Sequence, residues 1–203
     1  MGVSFGRSVA NPAISSNGAT LANAGGDAAF GVNWGSWQGA LATVNGAATT
    51  GSTHFINSID PTSASQFASL GSSLVNATYT YKGGPAPTDQ LGTQGKINSL
   101  SVGVNFSTQS ITNYTVNASI PANAAVGATT WNASGSGTIS QFTGASGIAL
   151  IGTCYGCTPG KGDPAAQGSA NGAFVGSAAQ KMITSFGLTA ASQAISGVGY
   201  LSR

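Results

Sequence analysis

The chain has 203 residues and is 41% hydrophobic, enough to bury a core, yet only 5% of it is charged, against roughly 25% in ordinary soluble domains. Four acids (Asp27, Asp60, Asp89 and Asp163, with no Glu) face six bases (Arg7, Lys82, Lys96, Lys161, Lys181 and Arg203). The net charge of +2 is spread too thinly for a phosphate-binding face, which excludes nucleic acid as a partner. Helical proteins solvate their outer faces with Glu and Lys; here Ser, Thr, Asn, Gln and Gly must do so, which points to an all-β chain outside the cytoplasm.

No apolar run approaches the roughly 18 residues of a membrane-spanning helix, so no span is predicted. The start, Met1-Gly2-Val3-Ser4-Phe5-Gly6-Arg7, lacks the basic and apolar regions of a signal peptide. Export is therefore inferred from composition, with any leader removed or the chain a segment of a longer one. Residues 1–28 are small and polar with no sustained period, and are expected to form an extended N-terminal arm or linker ahead of a domain spanning 29–203.

The first strand expected is 30–37, carrying Trp34 and Trp37. Three residues apart, the two rings face opposite sides of a strand, one inward and one outward, and they are the candidate interaction surface. A second strand is expected at 52–59, and a helix at Thr62–Ser69 after Asp60-Pro61. Strict alternation then sets in. Val75, Ala77, Tyr79 and Tyr81 share one face before the turn Gly83-Gly84-Pro85. Leu100, Val102, Val104 and Phe106 alternate with small polar residues, as do Tyr114, Val116, Ala118 and Ile120, and Ser107–Ser110 between them reads as a hairpin loop. Weaker strands are expected at 129–133, 137–142, 147–152, 171–176, 182–188 and 195–202, with a short helix at Ser177–Met182 capped by Ser177. Many short strands divided by Gly, Asn and Pro turns suit a sandwich or an up-and-down barrel, and closure would remove exposed edges that so few charges cannot protect.

The two cysteines sit as Cys154-Tyr155-Gly156-Cys157. A redox pair, half a zinc site or a structural disulfide would each fit that spacing. His54 is the only histidine and no other cysteine exists, so a four-ligand zinc site lacks donors; the flanking Gly, Thr and Pro residues read as loop, which favours a loop-tightening disulfide between Cys154 and Cys157.

The segment Gly172-Ala173-Phe174-Val175-Gly176-Ser177-Ala178-Ala179, followed by Ile195-Ser196-Gly197-Val198-Gly199-Tyr200-Leu201, resembles the end of the transferrin-binding-protein-like β-barrel domain. Trp34-Gly35-Ser36-Trp37, Thr53-His54-Phe55-Ile56 and Gly95-Lys96-Ile97-Asn98 are similar to the barrel that follows FecR-type domains in some Gram-negative surface proteins. The resemblance runs from about Phe30 to Leu201. It implies a single antiparallel up-and-down barrel of about eight strands, serving as a rigid module on the outer surface of a Gram-negative cell or outside it. The family's Gly-x-Phe-Tyr-Gly-Pro with a following acid and Gly-Gly is replaced here by Val175, Ser177 and Lys181, and no lipobox cysteine precedes the arm. Transferrin binding and lipid anchoring are accordingly not carried over.

The catalytic inventory is nearly empty. A Ser-His-Asp site would rest on His54 alone, without a Gly-x-Ser-x-Gly elbow, and His54 reads as a hydrogen-bonded strand residue. Asp27, Asp60 and Asp163 adjoin Gly or Pro and Asp89 follows Pro87-Thr88, so the aspartates read as turn residues rather than paired catalytic or calcium-binding carboxylates. The chain is expected to be no enzyme and to need neither metal nor cofactor. Three functions stay open: a structural or protein-interaction barrel that self-assembles as its arm docks on a neighbour, with itself or another surface protein as partner; a lipocalin-like barrel holding a small apolar molecule among Tyr79, Val102, Val104, Tyr114 and Val116; and an outer-membrane barrel. Solid packing or a void around those five residues separates the first two.

Overall fold

Strict alternation over 10-residue runs gives strands with one apolar face, and a sheet of eight such strands buries that face by closing on itself. The computed structural model describes residues 20–38, 52–123, 126–158 and 160–203, together with short strands at 15–16, 42–44 and 47–49. Its first strands are β1 (Ser15–Ser16), β2 (Thr20–Asp27), β3 (Val32–Gln38), β4 (Ala42–Val44), β5 (Ala47–Thr49) and β6 (Thr53–Ser58), followed by helix α1 (Ala64–Ser73). Then come β7 (Asn76–Gly83), β8 (Thr88–Asp89), β9 (Lys96–Asn105), β10 (Ser110–Ile120), β11 (Thr129–Thr138), the one-turn helix α2 (Ile139–Phe142), β12 (Ile148–Tyr155), β13 (Ala165–Val175), β14 (Lys181–Ala190) and β15 (Gln193–Ser202).

The eight long strands β7 and β9–β15 pair antiparallel, each with the next in sequence, and β15 returns to β7 to close the barrel. β8 adds two residues to β15, pairing Asp89 with Ile195. The expected all-β class and the expected antiparallel up-and-down barrel of about eight strands are thus the architecture of the protein. Its interior is a single apolar cluster running from Tyr79 and Leu100 through Val116, Trp131 and Leu150 to Met182 and Leu201. One end is stoppered by rings: Phe67 of α1, Phe106, Phe142 of α2 and Phe174 meet at centroid distances of 4.9–6.3 Å, in edge-on and tilted pairs. The stopper helix α1 starts where Ser63 and Gln66 cap each other, Gln66 N–H donating to Ser63 Oγ (3.3 Å) and Ser63 N–H to Gln66 Oε1 (2.7 Å). At the other end Trp131 is buried with its indole N–H donating to Thr129 Oγ1 at 3.1 Å.

Outside the barrel, β2, β3 and β6 form a second, three-stranded antiparallel sheet. Its inner side carries Val32, Trp34 and Ile56 onto Val175, Ile183, Val198 and Tyr200, the outward residues of β13–β15. β14 is consequently buried on both faces, which is why Met182 and Ile183, adjacent in sequence, are both apolar.

Four expectations are corrected. Residues 137–142 are not a strand: β11 runs on to Thr138, and Thr138 with Gln141 then forms a capping box that turns Ile139–Phe142 into helix, with Ile139 and Phe142 buried. Ser177–Met182 is not a helix either; Gly176–Ala179 is a tight turn closed by Ala179 N–H on Gly176 O (3.0 Å), and β14 begins at Lys181. The expected arm at 1–28 is in part a strand, since Thr20–Asp27 pairs with β3 in the outer sheet; residues 1–14 and 17–19 lie outside the described residues. The boundary at 28/29 therefore falls within that sheet, and the barrel strands themselves occupy Asn76–Ser202.

Candidate functional site

The barrel interior is occupied by protein. Tyr79, Val102, Val104, Tyr114 and Val116 all point inward as alternation requires, and none is more than 2% exposed. The two hydroxyls are satisfied by protein groups, Tyr79 donating to Ala179 O (2.5 Å) and Tyr114 lying 3.2 Å from Thr184 Oγ1. Burial pushes both phenols well above the ordinary tyrosine value, with Arg203 near Tyr79 and Thr184 beside Tyr114 pulling modestly the other way. Phe174 stacks edge-on against Tyr79 at 5.7 Å, and Phe142 lies 6.2 Å from Tyr114. At the barrel mouth opposite α1, a concavity bounded by Asp89, Ile120, Asn123 and Trp131 has about 10 Å³, about the space of one water.

The titratable groups serve the fold. His54 is buried under the outer sheet with Nε2 2.9 Å from Ala86 O, so the ring donates and Nδ1 is the unprotonated nitrogen. Burial lowers its pKa from the ordinary histidine value, and the bond to Ala86 offsets part of that. Asp89 Oδ1 accepts from Leu91 N–H (2.9 Å) and Thr93 N–H (2.7 Å), and Asp163 accepts from Gly156 N–H (3.2 Å), which are turn roles. Asp27 caps the turn before β3 by accepting from Ala29 N–H (3.1 Å) and also accepts from the Tyr200 hydroxyl. Among the described residues no three of His, Cys, Asp and Glu lie together as a metal-binding group.

The disulfide Cys154–Cys157 is formed, both cysteines buried at the end of β12. Between them Gly156 takes φ +81°, a left-handed conformation that suits glycine, and turns the chain back so that Tyr155 stands outside, 46% exposed.

The two tryptophans divide as their spacing requires. Trp34 faces the barrel, stacked on Tyr200 at 5.6 Å between rings, and lies so close to Gly25 and Gly83 that an added Cβ would come to 2.7 Å and 3.1 Å of the indole. Lys181 Nζ sits 5.0 Å from the Phe30 ring and 5.9 Å from that of Tyr200, completing the joint between outer sheet and barrel. Trp37 is on the opposite side of β3, half-buried, 6.4 Å from Phe55 and paired in register with Leu21, which is 49% exposed. Of the two rings, Trp37 alone belongs to an outward face.

A larger concavity lies elsewhere, on the bare outer wall of β9–β12: an open groove of about 430 Å³. Register sets its floor in two rows, Ser101, Thr115, Ser134 and Ile151, then Ser99, Asn117, Asn132 and Thr153; a third row of the wall, Lys96, Ser119, Thr130 and Tyr155, follows beyond the groove's lining. Ser101 and Thr115 hydroxyls lie 2.8 Å apart, and the amides relay in one direction: Asn98 Nδ2 donates to Asn117 Oδ1 (2.6 Å), and Asn117 Nδ2 to Asn132 Oδ1. The sequence reading did not single out this wall. The signal was present, however: residues 97–160 contain no Asp, Glu, Lys, Arg or His, so strands β10–β12 carry no charged side chain at all.

No protein-family model, curated protein or solved structure matches the chain. No helix among the described residues is long and apolar enough to cross a membrane.

Proposed function

We propose that this chain is a non-enzymatic barrel of the outer cell surface or extracellular space that works through its exterior, as a structural and protein-interaction module. The observation that carries this is the contrast between a barrel filled by its own side chains and an outer face of uncharged hydroxyls and amides. The filled interior favours it over a solute carrier. Outward Ser, Thr and Asn on β9–β12 favour it over an outer-membrane barrel, whose lipid-facing positions are apolar. The disulfide and the motifs shared with surface barrels of Gram-negative bacteria support the location.

Self-assembly belongs to this reading. Among the described strands, β2 pairs only with β3, so its other edge presents backbone N–H and C=O groups along Thr20–Asp27 to an incoming strand, with Asp27 its only charge. A neighbouring copy of the chain is the partner we assign to that edge. Size-exclusion light scattering and negative-stain microscopy of the full chain and of a chain lacking residues 1–19 test this; truncation stops at 19 because Thr20–Asp27 is part of the outer sheet. Oligomers or filaments that vanish with residues 1–19 are expected. A monomer in both samples overturns self-assembly.

A further inference from the structure

The geometry points to the β9–β12 groove as a binding site for a neutral polysaccharide, an inference that rests on the exterior-docking reading and names the partner for one wall. A ligand for this wall must be uncharged, because neither a cation nor a carboxylate lies within the groove; Lys96, at the corner of the third row, is the nearest charge in register. It must also offer many hydroxyls. Three rows of side chains stand about 6.7 Å apart along the strands and about 4.8 Å apart across them, and nearly every one is a hydroxyl or an amide able both to donate and to accept. The amide relay runs one way and ends on Asn132, whose Nδ2 has no acceptor among the described residues. A polarised terminal donor of this kind suits a sugar hydroxyl.

The remaining requirement of a pyranose ring is an apolar surface for its C–H face. β12 supplies it, with Ile151 in the groove's lining and Tyr155 on the same wall just beyond it. Ile151 is 69% exposed and Tyr155 46%, on the same outward face and flanking Thr153, while their inward neighbours Leu150 and Cys154 are buried. Standing on one face of a wall otherwise made of hydroxyls, the two side chains give the C–H face of a sugar an apolar contact. The disulfide fixes Tyr155 in that position by closing the turn behind it. The groove's volume, about 430 Å³, is in the range of ligand clefts, about 300–1,000 Å³, and its openness along the wall admits a polymer rather than a single enclosed sugar.

The test uses the full chain. Pull-down on insoluble cellulose, chitin and starch, with calorimetric titration of cellohexaose, chitohexaose and maltohexaose, is compared with heparin and alginate, and repeated for Tyr155→Ala, Asn132→Ala and Ser134→Asp. Retention on at least one neutral polymer and on neither charged one is expected, with affinity reduced at least tenfold by Tyr155→Ala and by Asn132→Ala while thermal melts stay unchanged. Should one of these unfold, Ser134→Asp, a fully outward change, carries the comparison. Binding to none of the neutral polymers, equal binding to charged ones, or affinity indifferent to all three substitutions overturns the assignment. Light scattering on the same variants separates the two proposals: oligomers that persist without glycan binding remove the saccharide site and leave exterior docking standing, whereas oligomers that dissolve in Ser134→Asp make the wall a contact between copies. Glycan binding that survives removal of residues 1–19 places the two surfaces apart.

Discussion

The same barrel has two different outer walls. Over β13–β15 the outward positions are Val175, Ile183, Val198 and Tyr200, and a three-stranded sheet covers them; over β9–β12 the outward positions in the groove are Thr115, Asn117, Asn132 and Thr153, and nothing among the described residues does. The inward side chains are alike on both sides, apolar and gathered in one cluster apart from the buried Thr129 and Thr184. Closure of the barrel therefore depends on the inner face alone, and the outer face is free to be specified for whatever lies against it. A strand apolar on both faces is held inside the molecule, and one polar on its outer face is left for a partner.

The strongest way to break that contrast is to put the same charge on each wall. Val198→Asp places an unpaired carboxylate between the outer sheet and β15, where burial without a counter-charge costs roughly 3–5 kcal/mol. Ser134→Asp on the bare wall stays within about 0.5 kcal/mol. Chemical denaturation of the two variants should give these values; equal losses would mean that the β9–β12 wall is covered after all.

The joint between the outer sheet and the barrel gives the next effect. Trp34 stacks on Tyr200 with Gly25 and Gly83 against its indole, so Trp34→Ala removes a half-buried ring and is expected to cost about 2 kcal/mol. Gly25→Val attacks the same contact from the other side, because a Cβ there would meet the indole at 2.7 Å. Both should loosen the outer sheet before the barrel, seen as early loss of amide-exchange protection in β3 and β6 while β9–β12 remain protected. Simultaneous loss in both would show a single cooperative unit.

On the bare wall the corresponding test is the disulfide. Its loop is short, so reduction is expected to cost about 2 kcal/mol on chain-entropy grounds, slightly less for so few residues than for a long loop. Exchange protection should fall at the end of β12 and leave the outer sheet unaffected; a loss of outer-sheet protection on reduction would show that the two walls are coupled.

Much of the barrel was legible because its information is local. Strands β7, β9 and β10 follow from alternating apolar residues alone, and β14 and β15 from apolar residues on both faces. The misreadings have one cause. Ile139–Phe142 and Ser177–Met182 each mix small polar residues with a few apolar ones, a pattern that fits a strand end or a helical turn; the choice is made by Thr138 and Gln141 capping each other in one case and by the Gly176–Ala179 turn in the other. The outer sheet was harder to place, because its strands 32–38 and 53–58 look like any others and only the partner surface on Ile183 and Val198 sets them outside the barrel. The groove on β9–β12 was the least legible part. Side-chain types marked its rows, but which residues stand side by side depends on register across four strands, including a bulge between Asn117 and Ala118.

The smallest effect expected is one of pH, and it too separates the walls. His54 is the only histidine, and it lies beneath the outer sheet bound to Ala86 O. Because burial depresses its pKa in the folded protein, the unfolded chain binds the proton more tightly, and stability rises with pH up to the unfolded histidine value near 6.5 and is level above it. Acidification from pH 7 through that value should therefore weaken the joint, and the bare wall, with no histidine or carboxylate between residues 97 and 160, should not respond. In a Trp131→Phe background tryptophan fluorescence reports on Trp34 and Trp37, and exchange protection reports on β10 and β11. His54→Gln, which cannot take up the proton, should flatten the pH dependence of unfolding between pH 5 and 7 while β10 and β11 behave as before. A dependence that survives His54→Gln unchanged would remove the histidine from the joint between sheet and barrel.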